Sequence, residues 1–161
     1  MLHEFHPIAV QIADALKARR EKIAVADGAT GGLISAALLT VPGALKFYVG
    51  GGVVYSFTAR DVLFGLPGEA YDGMQSATPD YALLQARAIR DRFGAAWGIA
   101  ETGSAGGSRH PLGVAAGQSC CAVVGPDIAV TRITETHSDD RIANMALFTR
   151  AALGLLAETL A

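Results

Sequence analysis

Ile23-Ala24-Val25-Ala26-Asp27-Gly28-Ala29-Thr30-Gly31-Gly32-Leu33 is the stretch from which the fold of this chain can be predicted. Its first five residues form an apolar run that ends in an aspartate, which predicts a buried strand. Residues 28–32 are small and glycine-rich, as in a tight turn, and the apolar run 33–39 predicts a helix that stops before Pro42-Gly43. A strand, a turn and a helix in this order are typical of an α/β sheet, in which ligands gather at the strand ends.

Helices and apolar strands continue on both sides of this unit. The sequence predicts further helices over about 5–20, 56–64, 78–93 and 139–160, and further strands over about 47–55, 95–100, 114–124 and 128–136. Residues 125–127 are predicted to form a hairpin turn, Thr78-Pro79 to begin a helix, and Ser138 to cap the last helix. The order α-β-α-β-α-α-β-β-β-α predicts a single α/β domain over residues 1–161, with a mixed, mostly buried sheet covered on both faces.

The composition restricts the classes of function. Hydrophobic residues make up 51% of the 161 residues and charged residues 17%, which favours a buried sheet or a sizeable subunit interface. A formal net charge of −2 gives no electrostatic basis for binding nucleic acid. Residues 28–45 carry no charge, but Pro42-Gly43 interrupts them, so we expect a buried helix rather than a membrane span. The N-terminus lacks the pattern of a signal peptide, and we expect a cytoplasmic protein.

The two cysteines, Cys120 and Cys121, are adjacent in the sequence. On a strand their side chains point to opposite faces, so they cannot pair with each other. We expect reduced thiols that act as small packing residues, in keeping with a cytoplasmic compartment. His3 and His6 have a ligand-like spacing without a framework of cysteines or carboxylates, so no metal site is predicted, and no cofactor.

Three stretches resemble the motifs of one family. Residues 26–33 resemble Ala-Glu-Ser-Cys-Thr-Gly-Gly, and residues 51–60, with 65–67 downstream, resemble Gly-Val-Val-x-Tyr-Ser-Asn-x-Ala-Lys followed by Gly-Leu-Pro. Residues 102–113 resemble a Thr-Gly-Ile-Ala-Gly loop followed by Pro-Val-Gly. In this order and spacing, over about Ile8 to Leu160, they resemble the C-terminal domain of CinA, the competence/damage-inducible protein. The active members of that family are nicotinamide-nucleotide amidohydrolases.

The resemblance implies a three-layer α/β/α sandwich that is often a dimer, so we expect a homodimer or another homo-oligomer. It implies a pocket built from the turn after the first strand, the Tyr-Ser block and the Thr-Gly loop. A full CinA protein adds a larger N-terminal domain, for which this chain is too short. We expect the ligand-binding residues of the pocket to be Thr30, Gly31, Gly32, Tyr55, Arg60, Glu101, Thr102, Gly103 and Arg141. Simpler interpretations stay open, with Tyr55 as a strand-end residue, Thr30 as a helix cap and the glycines as steric necessities.

Two positions depart from the chemistry that the resemblance implies. Gly28 stands where the family's active members have the serine nucleophile, and it has no hydroxyl with which to form an acyl-enzyme. Arg60 stands where they have the activating lysine, and a guanidinium stays charged and cannot accept the proton of a serine. We therefore identify no catalytic residue, although Tyr55 is retained. Arg60 is better suited to binding a phosphate or carboxylate in two hydrogen bonds.

Other residues near these motifs have two interpretations each. Asp27 and Glu101 end neighbouring strands, and they either form a carboxylate pair for general acid–base chemistry or metal binding, or Glu101 pairs with Arg60 or another arginine. Thr30 or Ser56 offers a hydroxyl in place of the missing serine, but neither has an evident base beside it. Arg109-His110 lies in the glycine-rich loop, and these two side chains either reach the pocket or are solvated, as is usual in such a loop.

Three hypotheses of function follow. The chain is a catalytically silent CinA-type domain that binds a small anionic ligand such as a nucleotide. Alternatively, it is an amidohydrolase acting on nicotinamide mononucleotide through other residues. The third hypothesis is a structural or interaction module, which the high apolar content suggests.

Overall fold

The computed structural model describes residues 1–161 and contains five helices and five strands in the predicted order. The helices are α1 (Leu2–Arg19), α2 (Leu33–Leu39), α3 (Phe57–Phe64), α4 (Pro79–Phe93) and α5 (Arg141–Leu160). The strands are β1 (Ile23–Asp27), β2 (Tyr48–Val53), β3 (Trp97–Ser104), β4 (Gln118–Gly125) and β5 (Ile128–Glu135). Short 3-10 turns at Ala44–Lys46 and Gly68–Tyr71 complete the chain. No helix has both the length and the apolar character that crossing a membrane requires.

The strands form one mixed sheet in the order β2-β1-β3-β4-β5. β1 is parallel to β2 and to β3, whereas β3, β4 and β5 are antiparallel neighbours. The predicted hairpin is confirmed, since Gly125 pairs with Ile128 and Asp127 turns the chain at a φ of 61°. Because β1, β2 and β3 all run in one direction, their carboxyl ends lie at the same edge of the sheet.

Helices cover both faces, which confirms the predicted three-layer α/β/α sandwich. Alternating side chains of β1, β3 and β4 pack against α1, α2 and α5 on one face, among them Val25, Ile99 and Val123. The side chains between them, such as Ala24 and Ala100, pack against α4 on the other face. Both edge strands are less covered than the three central ones, so the sheet is buried mainly at its centre.

The thiols lie as the sequence predicted. Cys120 and Cys121 point to opposite faces, and both are free and buried. Burial raises the pKa of Cys120 to about 11 and that of Cys121 to about 12, and the charge of Glu101 adds to the effect on each. Neither thiol is therefore a nucleophile at neutral pH.

Several boundaries differ from the prediction. β3 continues from Ala100 to Ser104, because its polar end pairs in register with β4, for example Thr102 with Cys120. β4 begins only at Gln118, where that pairing starts. The helix cap at Thr78 is confirmed by its bond from the Tyr81 N–H. The last helix is capped by Asp140 instead of Ser138, because the Asp140 carboxylate accepts from the Ala143 N–H.

Helix α4 packs unusually close to the sheet, where small residues on both sides leave room for it. A Cβ added at Gly98 of β3 would lie 2.8 Å from the Cβ of Arg90 and even closer to the backbone oxygen of Ala86. Distances under 3.0 Å do not occur for real Cβ atoms. The absence of a side chain at Gly98 therefore sets the distance between this helix and the sheet.

We expect Gly98→Ala to lower the free energy of unfolding by about 2 kcal/mol or more, because α4 must move away from the sheet. Gly68→Ala is the control, since a Cβ at Gly68 meets no atom within 4 Å, and it should stay within about 1 kcal/mol of the parent. Urea unfolding measures both. Equal stability of the two variants would contradict the close packing of α4.

Candidate functional site

A cavity of about 410 Å³ opens at the carboxyl ends of β1, β2 and β3. The three segments expected from the sequence meet there: the turn after β1, the β2–α3 connection and the loop after β3. Its wall consists of residues 28–29, 54–57, 76, 81, 85, 102–105, 108–112 and 141. The volume lies within the range of small-molecule sites, and the location is the usual one for ligands of open α/β sheets.

Gly28 lies in this wall, and its position is closed to any side chain. A Cβ on Gly28 would lie 3.1 Å from the carbonyl carbon of Glu101, 3.2 Å from its Oε2, and closer still to its carbonyl oxygen. The obstructing group is main chain on a paired strand, which cannot turn away as a side chain can. The residue at position 28 therefore has to be glycine for this backbone arrangement to exist.

Asp27 is buried directly behind Gly28 and serves as an internal cap for helix α2. Its Oδ1 accepts from the Thr30 hydroxyl at 2.6 Å and from the Ile34 N–H at 3.0 Å. Its Oδ2 accepts from the hydroxyl and the N–H of Ser35, at 3.0 and 3.3 Å. A carboxylate at this end of the helix is favoured by the helix dipole and satisfies N–H groups that lack partners within the helix.

This cap changes the interpretation of Thr30, Gly31 and Gly32, which were expected to hold an anion. None of the three lies in the cavity wall. The N–H of Thr30 donates to Glu101 Oε2 and that of Gly31 to the Gly28 carbonyl, while Asp27 already supplies a negative charge. The start of α2 is therefore occupied by the protein's own carboxylates and is not a phosphate site.

Glu101 is 1% exposed and is absent from the cavity wall. Its Oε1 accepts from the Ser119 hydroxyl at 2.6 Å, and its Oε2 from the Thr30 N–H at 2.9 Å. The expectation that it pairs with Arg60 or another arginine is wrong, since none of the six ion pairs includes it. The pKa of Glu101 is raised to about 7, mainly by burial and also by the charge of Asp27, against the hydrogen bonds from Ser119 and Thr30, which lower it.

Thr30 joins the two carboxylates, because its hydroxyl donates to Asp27 and its N–H to Glu101. The pair therefore exists as a buried cluster. Neither carboxylate reaches the cavity, which leaves them no contact with a ligand bound there. No group of three or more histidine, cysteine or acidic residues is placed to hold a metal ion. The cluster is a structural element beneath the floor of the cavity.

Arg60 also lies outside the cavity wall. Its guanidinium lies 3.6 Å from the centre of the Tyr71 ring and 4.6 Å from that of Phe57, and its Nε donates to Asp61 at 3.0 Å. Only 14% of its side chain is exposed. Arg60 fixes α3 against the Gly68–Tyr71 turn by stacking between aromatic rings, so the expected role as an anion clamp is not supported.

Tyr55, Thr102, Gly103 and Arg141 do lie in the cavity wall as expected. Arg141 Nη2 donates to the Tyr55 hydroxyl at 2.9 Å and its Nη1 to the Gly106 carbonyl at 2.6 Å. This arginine therefore connects the start of α5 with the β2–α3 connection and with the loop after β3. Neither partner is a carboxylate, so the positive charge of Arg141 is not neutralised by an ion pair.

Sequence reasoning missed the rings of Phe57 and Tyr81, which line the cavity. Arg109 and His110 also lie in the wall, as one of their two interpretations expected, and Arg109 is exposed to solvent as well. Two consecutive basic residues within a glycine-rich loop after a strand were the available signal. No aspartate or glutamate lies in the wall, so its ionisable side chains, apart from the tyrosines, are two arginines and a histidine. The arrangement can attract and orient a small organic anion.

The two hydroxyls considered as replacements, those of Thr30 and Ser56, do not take the place of the missing serine. Thr30 is fully buried and its hydroxyl donates to Asp27. Ser56 lies in the cavity wall, but its hydroxyl accepts from the Ala59 N–H as the cap of α3. No hydrogen bond joins the Ser56 hydroxyl to a basic side chain, so nothing activates it as a nucleophile.

Comparison with known proteins identifies the family. The model of the CinA C-terminal domain matches residues 5–160. A CinA-like protein of Salinibacter ruber is 34% identical over 145 residues, 88% of this chain and 34% of that protein. A CinA-like protein of Myxococcus xanthus is 30% identical over 136 residues, 83% of this chain and 32% of that protein. The chain thus spans about a third of the length of these curated relatives.

Comparison with solved structures identifies the same family. A competence-damaged protein (CinA) superfamily protein from Enterobacter cloacae has a TM-score of 0.89 and 25% identity, covering 98% of this chain and 92% of that one. A protein of the same superfamily from Klebsiella pneumoniae has a TM-score of 0.87 and 26% identity, covering 97% of each chain. The chain belongs to the CinA C-terminal domain family.

We expect the stability of the protein to fall as the pH rises from about 5 to about 8, because Glu101 must ionise in a buried site. Its pKa is about 7 in the folded protein against 4.5 in the unfolded chain, so the folded state binds the additional proton between these values. Glu101→Gln should remove this dependence, which is worth up to about 3 kcal/mol.

Urea unfolding of both proteins across this pH range measures the effect. Glu135→Gln, at an exposed position on β5, is the matched control and should keep the parent's slope. If Glu101→Gln and the parent show the same slope, Glu101 does not carry the buried proton.

Proposed function

We propose that this chain binds a small organic anion, such as a nucleotide, in the cavity at the ends of β1, β2 and β3, without the serine amidohydrolase mechanism. The observation that carries the proposal is the contact between Gly28 and the main chain of Glu101. It excludes a nucleophilic side chain at the position where the resemblance places one. The cavity itself remains open beside it.

Hydrolysis by the family's mechanism needs a base as well as a nucleophile, and the base position is also changed. The residue in the base position, Arg60, stays protonated and lies between the Tyr71 and Phe57 rings, outside the cavity. Thr30 and the two cysteines are buried, and Ser56 lacks a base. Acyl transfer needs a nucleophile, an activating base and a place for the reacting carbon next to both. Neither Thr30, Ser56 nor a cysteine therefore fills the first role, and Arg60 does not fill the second.

The charge and the shape of the cavity wall support the binding of an organic anion. Arg109, His110 and Arg141 lie in a wall that has no carboxylate to neutralise them. A guanidinium binds phosphate or carboxylate oxygens in two charge-assisted hydrogen bonds. The rings of Phe57 and Tyr81 provide apolar surface for a planar group. An anionic group joined to a ring, as in a mononucleotide, matches this combination.

We expect no release of ammonia from nicotinamide mononucleotide by the purified chain, since it has no activated nucleophile. Gly28→Ser, alone or with Arg60→Lys, should not create the activity and should lower the melting temperature, because the added Cβ meets the Glu101 carbonyl. An ammonia assay and thermal unfolding measure the two effects. Turnover by the unmodified chain would contradict the proposal and favour an amidohydrolase that uses other residues.

We expect Arg141→Gln to weaken binding of a pyridine mononucleotide about tenfold or more, because it removes charge-assisted hydrogen bonds at the cavity. Isothermal titration calorimetry measures the dissociation constant. Arg87→Gln, on the exposed face of α4 and outside the cavity wall, is the matched control and should not change it. If neither nicotinamide nor nicotinic acid mononucleotide binds at millimolar concentration, the binding proposal fails and an interaction module is favoured.

A further inference from the structure

Two buried side chains in the cavity wall have no hydrogen-bond partner within the protein. Nine aspartate, glutamate, asparagine, glutamine, serine and threonine residues of the chain are buried. Seven of them form hydrogen bonds through their side chains, as Asp27, Glu101 and Asn144 do. Gln85 and Ser104 form none, and both belong to the cavity wall. Buried polar side chains are nearly always paired, so the position of these two in the cavity requires an explanation.

The unpaired polar atoms of Gln85 and Ser104 face the cavity. The two residues are 3% and 7% exposed, and they come from different elements, Gln85 from α4 and Ser104 from the end of β3. The Tyr71 hydroxyl and the Trp97 Nε1 also lack partners, but they are shut off from solvent and lie outside the wall. The amide of Gln85 and the hydroxyl of Ser104 are not shut off in this way, so the space that they reach is the cavity that they line.

These side chains offer uncharged donors and acceptors to a ligand. The Gln85 amide has two N–H donors and a carbonyl acceptor, and the Ser104 hydroxyl can donate or accept. Thr102 lies two residues before Ser104 on β3 and therefore on the same face of the strand. Its hydroxyl accepts from the Ala77 N–H at 3.2 Å, which leaves the hydroxyl proton for another acceptor. This part of the wall suits a neutral group that both donates and accepts hydrogen bonds.

The unpaired amide of Gln85 lowers the stability of the ligand-free protein. A buried polar group without a hydrogen-bond partner is unfavourable, whereas an apolar side chain of the same length has no such penalty. Methionine has this length and nearly the same helix propensity as glutamine, so α4 itself does not require an amide at this position. A side chain that the fold does not need, and that is destabilising without a partner, is typical of a binding site.

We propose that Gln85 is a specificity-determining residue of the cavity and that, with Ser104, it binds an uncharged hydroxyl or amide group of the ligand. This inference rests on the proposed function. Arg141 supplies positive charge for the anionic group, whereas Gln85 discriminates among anions by hydrogen bonding. An anion with an apolar body leaves the buried amide unpaired and binds more weakly. The ligand class is therefore an organic anion that also carries an uncharged donor and acceptor.

Gln85→Met tests the inference, because stability and affinity should change in opposite directions. Thermal unfolding without ligand should show a melting temperature about 2 °C or more above that of the parent, since an unpaired buried amide is removed. Isothermal titration calorimetry should show binding of nicotinamide mononucleotide weakened about tenfold. Gln11→Met, at an exposed position of α1, is the matched control and should change neither quantity.

A second variant and a second probe complete the experiment. Ser104→Ala should weaken binding of the mononucleotide about threefold or more without lowering the melting temperature. Ribose 5-phosphate has the sugar hydroxyls without the ring amide. A loss of its affinity in Gln85→Met, together with that of the mononucleotide, assigns the contact to a sugar hydroxyl, and a loss for the mononucleotide alone assigns it to the ring amide.

The outcomes separate the two proposals. If Gln85→Met is less stable than the parent, the amide has a role in the fold and the inference is overturned. The inference is also overturned if Gln85→Met binds the mononucleotide with the parent's affinity, and in both cases anion binding stands. If the parent binds neither probe, the proposed function fails and the role of Gln85 fails with it.

Discussion

The contact between Gly28 and the main chain of Glu101 is the constraint on which this site depends. β1 and β3 are parallel neighbours, and the chain leaving β1 passes close to the main chain of Glu101 in β3. That approach places the Thr30 N–H on the Glu101 carboxyl and the Thr30 hydroxyl on Asp27. The floor of the cavity is therefore rigid and its polar groups are satisfied within the protein. Ligand recognition is left to the walls.

The walls of the cavity differ from its floor, because their charged side chains are not paired with a carboxylate within the protein. They come from the β2–α3 connection, the glycine-rich loop after β3 and the start of α5, and their charged side chains are basic. Below the floor, Asp27 and Glu101 form an acidic cluster without a cation. The protein thus separates its charges by function. Negative charge holds the turn and the helix in place, and positive charge faces the space in which a ligand would bind.

Much of the fold could be predicted from the sequence, because the order of helices and strands depends on local patterns. The run 23–27, the turn 28–32 and the Thr78-Pro79 start are such patterns, and the apolar strands interspersed with helices indicated a sheet covered on both faces. The location of the cavity followed from the same reasoning, since it joins the loops at the ends of parallel strands. The motif spacing agreed with the family that the comparisons identify.

The roles of individual side chains could not be predicted in the same way. The burial of Arg60 depends on Tyr71, and that of Glu101 on Ser119, which are contacts between elements distant in sequence. Asp27 reaches Ile34 and Ser35 only because the turn folds back over it.

The obstruction at Gly28 also limits what mutation of this chain can introduce at the site. The blocking atom belongs to the peptide backbone, which every residue type shares, so no substitution at position 101 would make room for a side chain at 28. A serine at position 28 would require this part of β3 to shift first, which a single substitution does not provide. Point mutation can therefore change the walls of the cavity much more easily than it can place a nucleophile at position 28.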